Sequence, residues 1–123
     1  MPVHAIRGAI TIDNDTAEQI HIHTTTLLEQ LYERNGLTHD DVVSAIFTAT
    51  PDVSSAPPAV AGRLFGMTEI PLICVQEMAV DGALGMCVRV MLHIESDRPR
   101  SALRHCFLRG ATVLRPDLAG DIE

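Results

Sequence analysis

The sequence predicts an α+β fold: a mixed five-stranded β-sheet with one long amphipathic helix and short helices. Three observations carry that prediction. Five short apolar runs rich in Val, Ile and Leu recur along the chain, at 3–12, 42–50, 70–77, 86–95 and 103–108. One longer stretch, after the first run, has its apolar residues at helical spacing. Asn-Gly, Thr-Pro, Pro-Pro and Asp-Gly punctuate the rest, with no repeat, low-complexity run or interior linker.

Taken in order, residues 3–12 (VHAIRGAITI) read as a strand carrying Arg7 and Gly8 and ending at Asp13-Asn14. Asp15 is the expected N-cap of the long helix, with Glu18 three residues on as a variant capping box. Ala17, Ile20, Leu27, Leu28 and Leu31 then share a face, with Glu29, Glu33 and Arg34 off it. Asn35-Gly36 supplies the stop. Thr38–Asp41 offers one helical turn before the second strand, VVSAIFTAT at 42–50.

A Pro/Ser-rich loop follows, and Pro57 and Pro58 suit the first turn of a short helix running through Arg63 to Gly66. The third strand is IPLICVQE, 70–77. Asp81-Gly82 and Gly85 mark a turn region before the fourth, MCVRVMLHIE, 86–95. There Val88, Val90, Leu92 and Ile94 share one face and Cys87, Arg89, Met91 and His93 the other. Pro99 ends that run, LRHCFL at 103–108 is a fifth strand, and the chain closes with a short helical turn and a loose tail from about residue 116.

The 123 residues fit one domain, 1–123, with no room for a second core. A hydrophobic share of 46% is greasy for a soluble monomer and suits a subunit interface, which resembles a core cut in half. The net charge of −7 argues against a nucleic-acid or anionic-membrane surface. No apolar run approaches the roughly 20 residues that span a bilayer. Cys74, Cys87 and Cys106 form no CxxC pair, and their odd number, with no leader in the sequence, points to a reducing cytoplasm.

All nine basic residues are arginine, the side chain suited to bidentate recognition of carboxylates. Base composition of the genome accounts for that bias as readily as function does, so the position of each arginine decides. Arg89 lies mid-strand between Val88 and Val90, where a desolvated guanidinium requires a carboxylate or an anionic ligand. Glu77 ends an equally apolar strand. The two either form a structural salt bridge or line one pocket, and spacing does not separate those readings. Arg7, within AIRGA, poses the same question, with Gly8 allowing close backbone approach. Three charged residues on three apolar strands hint at a charged pocket built into a sheet.

Other chemistries find little support. His21 and His23 are two apart on a helix and diverge. His4, His39 and His105 show no metal spacing, and His93 reads as a satisfied core histidine as readily as anything else. There is no GxGxxG, P-loop or GxSxG, and Cys74 has no sequence-visible base. No metal or cofactor is expected.

IRGA at 6–9, ATPD at 49–52, PPAVAGR at 57–63, CVQEMAVDGALGMCVRVM at 74–91 and VLRPDL at 113–118 resemble, in order and near spacing, the monofunctional bacterial chorismate mutases. Those enzymes form trimers with a pseudo-α/β-barrel. The resemblance spans almost the whole chain, with a one-residue gap near Met67. It implies an isomerase that converts chorismate to prephenate by Claisen rearrangement, toward phenylalanine and tyrosine, as a homotrimer with sites between subunits.

By the same resemblance Arg7 binds a substrate carboxylate, Arg89 donates to the ether oxygen and Glu77 accepts from the ring hydroxyl. Cys74 contacts that hydroxyl region. Arg63 and Arg115 close the site from the loop and tail sides. Pro57, Ala59, Val60, Ile73, Phe107 and Leu114 complete the expected substrate contacts. Three positions depart from the pattern: Phe107 where tyrosine is usual, Val60 where lysine is expected and Pro57 where phenylalanine is expected. They bear on affinity and leave Arg89 and Glu77 untouched.

Competing readings are a trimeric imine deaminase or similar small-metabolite hydrolase, a non-catalytic sensor of an aromatic metabolite, and a structural domain with buried ion pairs. Turnover of chorismate to prephenate separates the first reading from all three.

Overall fold

The computed structural model of the protein describes residues 1–114. In chain order it has β1 (Val3–Thr11), α1 (Ala17–Asn35), β2 (Val42–Ala49), α2 (Pro58–Leu64), β3 (Leu72–Gln76), β4 (Cys87–Glu95) and β5 (Cys106–Leu108). Single 3-10 turns lie at His39–Asp41, Arg100–Ala102 and Arg109–Val113. The strands form one sheet in the order β3-β2-β4-β1-β5. β4 runs antiparallel to both β1 and β2, while β3 and β5 add parallel edges to β2 and β1. The sheet is therefore mixed, as the sequence predicts, with β4 at its centre.

Both helices cover the same face. Ile6 and Ile10 of β1, Phe47 of β2 and the Val88-Val90-Leu92-Ile94 row of β4 meet Leu27, Leu28 and Leu31 of α1 in one buried cluster. Each fully buried leucine contributes roughly 1.5–3 kcal/mol. Gly8 sets how close α1 sits: a Cβ there would lie 2.9 Å from the Leu27 and Leu31 methyls and 3.1 Å from the Cys106 carbonyl. The opposite face carries no α-helix among the described residues. At one end it holds a small second cluster of Ala9, Cys87, Phe107 and Ala111, and elsewhere it is open.

Several expected boundaries move. The N-cap of α1 is Thr16 rather than Asp15: the Thr16 hydroxyl accepts from the Gln19 backbone at 3.1 Å. Thr16-x-x-Gln19 is itself a cap signature. Asp15 instead accepts from the backbone N–H groups of Ser54 and Ser55, both at 3.0 Å, pinning the loop before α2. β5 begins at Cys106 rather than residue 103 because the Asn35 amide occupies the backbone of Arg104, giving to its carbonyl at 2.9 Å and accepting from its N–H at 2.7 Å. α2 ends at Leu64, and Gly66 follows in a positive-φ turn at 112°.

Candidate active site

Strand alternation puts Arg7, Thr48 and Arg89 on the open face, and the register brings them together. Thr48 pairs with Arg89 across β2 and β4, and Ala9 pairs with Arg89 across β4 and β1. Arg7 is thus the diagonal neighbour of Arg89, a separation of roughly 7–8 Å that long side chains bridge. Glu77 stands one residue past β3, its backbone N–H held by the Ala49 carbonyl at 2.9 Å. These side chains line a cleft of about 470 Å³ whose floor includes Ile46 and Phe107. Met78, Val80 and Ala83 form its rim.

Arg89 and Glu77 meet through Nε and Oε2 at 3.0 Å, with side-chain exposures of 32% and 17%. The Nε atom is buried and makes no aligned hydrogen bond, so the contact is an ion pair held by charge. The two readings left open by the sequence therefore coincide: the residues pair, and they do so inside a cleft. The Arg7 guanidinium carbon lies 5.6 Å from the centre of the Phe107 ring, within cation–π range. The cleft thus gathers two guanidinium groups and one carboxylate in a chain of net charge −7.

The rim is anchored by Asp52. Its carboxylate accepts the Thr50 hydroxyl at 2.6 Å and the Met86 backbone N–H at 3.0 Å. The Thr50 hydrogen bond is the largest influence and holds the Asp52 carboxyl below its ordinary value; burial opposes it, and the Met86 N–H adds a smaller lowering. Met86 is itself at φ 50°, a strained conformation for a side-chain-bearing residue. Cys87, at 0% exposure, has its thiol pushed up to about 11 by burial, which keeps it neutral and unreactive.

The remaining expected contacts lie elsewhere in the chain. Cys74 faces the helices and packs against the main core, while Ile73, on the same face as Glu77, is 55% exposed beside Ile46. Pro57, Ala59, Val60 and Arg63 lie on α2 or its N-cap, with Ala59 buried in the core and Pro57 and Arg63 exposed. Leu114 packs on the second cluster, and Arg115 lies outside the described residues, as does the tail from about 116. No sequence motif singles out Thr48, whose hydroxyl donates to Glu77 Oε2 at 2.5 Å. The period of two in β2, which sets Ser44, Ile46 and Thr48 on one face, was the signal available for it. Among the described residues no group of three or more His, Cys, Asp or Glu could hold a metal ion.

A sheet face bearing two arginines and one paired carboxylate around a small cleft is built to bind a compact anionic metabolite that also carries a polar group. The comparisons agree with that class. The family model for chorismate mutase type I matches residues 3–118. The chain is 43% identical over 120 residues to chorismate mutase AroH of Bacillus subtilis (strain 168), covering 97% of this chain and 94% of that protein. It is 44% identical over 117 residues to chorismate mutase AroH of Thermus thermophilus, covering 94% and 96%. A solved chorismate mutase from Clostridium thermocellum superposes with a TM-score of 0.88 at 44% identity, covering 89% of this chain and 98% of that one. The chain belongs to the chorismate mutase type I family.

Proposed function

We propose that the protein isomerises chorismate to prephenate in aromatic amino-acid biosynthesis, in the cytoplasm, using the Arg7–Glu77–Arg89 cleft. The reaction is a rearrangement within one molecule: the ether C–O bond breaks as a C–C bond forms, with no proton transferred and no nucleophile consumed. What a protein contributes is a fixed reactive conformation and charge complementary to the separating C–O bond. Arg89 donates to the ether oxygen as negative charge grows there, Glu77 accepts from the ring hydroxyl, and Arg7 binds a carboxylate. The observation that carries this reading is the Arg89–Glu77 contact at 3.0 Å inside a cleft that Arg7 and Thr48 share with apolar side chains.

The substrate is a dianion and the chain is acidic, so the arginines must act at short range, within a Debye length of about 8 Å. Phe107 in place of a tyrosine leaves Arg7 a ring face and no hydroxyl, which supports weaker carboxylate binding at that corner.

The working unit we infer is a homotrimer closing a pseudo-α/β-barrel, each site shared by adjacent subunits. Two features support it. Ile73, Val75 and Met91 leave the open sheet face apolar, with exposures of 55%, 43% and 36%, which a partner would cover. Pro57, Val60, Arg63 and Cys74 do not line the cleft within one chain, so they join it only from a neighbouring copy. The test is prephenate formation from chorismate by purified protein. Failure to produce prephenate, with chorismate bound or untouched, favours a sensor or a small-metabolite hydrolase.

A further inference from the structure

We infer that Thr48 is a positioning residue that holds the Glu77 carboxylate open for substrate instead of letting it close on Arg89. The inference rests on the reading of Glu77 as a substrate contact and deepens it.

A glutamate beside an arginine ordinarily settles into a two-pronged pairing, both carboxylate oxygens against two guanidinium nitrogens. That arrangement would use both oxygens of Glu77 and occupy the terminal nitrogens of Arg89. It is not what the structure holds. Arg89 approaches Glu77 through Nε, 3.0 Å from Oε2, and that Nε makes no hydrogen bond. The Thr48 hydroxyl donates to that same Oε2. Oε1 has no partner among the described residues, and the guanidinium makes no second ion pair there. One oxygen is thus tied down twice while the other stays available.

The register explains why Thr48 can do this. It pairs with Val75 on one side and Arg89 on the other, so its side chain rises from the strand between the two charged residues. Glu77 follows two residues after Val75, at the start of the loop carrying Met78 and Val80, both exposed. A carboxylate at the start of such a loop has conformational freedom that a strand residue lacks. Thr48, fixed by two ladders, removes it. Threonine also suits a strand by its branched shape alone. The hydroxyl must therefore be tested apart from the shape.

Thr48→Val keeps the branching and volume and removes the donor, whereas Thr48→Ser keeps the donor and removes the methyl. Both are assayed for kcat and KM on chorismate beside Glu77→Ala, with melting temperatures recorded. Loss of a hydrogen bond to a charged group predicts a fall in kcat of Thr48→Val on the order of tenfold or more. KM should change less, and Thr48→Ser should stay near wild type. Wild-type kcat in Thr48→Val, an effect confined to KM, or equal loss in both Thr48 variants overturns the proposal. If Glu77→Ala turns over like wild type, the reading of Glu77 fails and Thr48's role goes with it. If Glu77→Ala is slow and Thr48→Val is not, only the role of Thr48 is lost.

Discussion

Arg89 on β4 and Glu77, one residue past β3, reach each other at 3.0 Å although β4 and β3 lie on either side of β2. The pair spans the width of β2, and the residue it crosses is Thr48. A guanidinium held this way is preorganised by charge while part of its surface remains open to the cleft.

Arg89 is expected to act chiefly in the transition state. Removing one preorganised donor of this kind costs about 10²–10³ in kcat. Arg89→Ala should therefore lower kcat by that order with a smaller rise in KM, and steady-state turnover of chorismate checks it. Arg89→Lys should remain poor, because an ammonium point charge does not reproduce the guanidinium fork.

Arg7 has a different task. It stands over Phe107 at 5.6 Å, one diagonal step from Arg89. Arg7→Ala should mainly raise KM, and a variant that binds chorismate as tightly as wild type by calorimetry would remove Arg7 from substrate binding.

Gly8 tests the packing beneath the site. A methyl group there meets two leucine methyls at 2.9 Å and a carbonyl at 3.1 Å, and the carbonyl cannot rotate away. Gly8→Ala should destabilise by about 1–3 kcal/mol, the usual range for overpacking. Denaturant titration measures it. Because Gly8 lies between Arg7 and Ala9 on β1, activity should fall as well.

Asp52 makes stability depend on acid. Its carboxyl is depressed below 3.8, chiefly by the Thr50 hydroxyl. The charged form is the one the fold prefers, so its contribution is full above that unfolded value and is lost as pH falls through the lower folded value. Asp52→Asn should melt a few degrees below wild type at neutral pH. The gap should narrow below about pH 4 as wild type loses the same charge. Melting curves across pH 2–7 decide it, and a gap independent of pH would refute the charge as cause.

Cys87 should resist alkylation at pH 8 in the native protein and react once unfolded. Burial pushes its thiol to about 11 and leaves it 0% exposed. Peptide mass mapping after iodoacetamide treatment reads this directly.

Much of this was legible in the chain. Alternation along 86–95 gave the two faces of β4, and the leucines at 27, 28 and 31 gave the buried stripe of α1, because both follow from local geometry. The odd placement of Arg7, Glu77 and Arg89 in apolar strands marked them as a set. Motif strings such as CVQEM and CVRVM carried the family, and with it the chemistry.

Pairing was not local, and there the sequence stopped. That β4 lies between β1 and β2, that Arg89 meets Glu77 by one nitrogen, and that Thr48 stands between them depend on which strands neighbour which. The register is set by the whole buried face packing at once. The same holds for Asp15 and Asn35, whose polar side chains were drawn to loops 39 and 69 residues away. Polar groups bond to whatever backbone the folded chain brings near and leaves unpaired. Residue types determined what chemistry this protein could perform; tertiary structure decided which of them share a cleft.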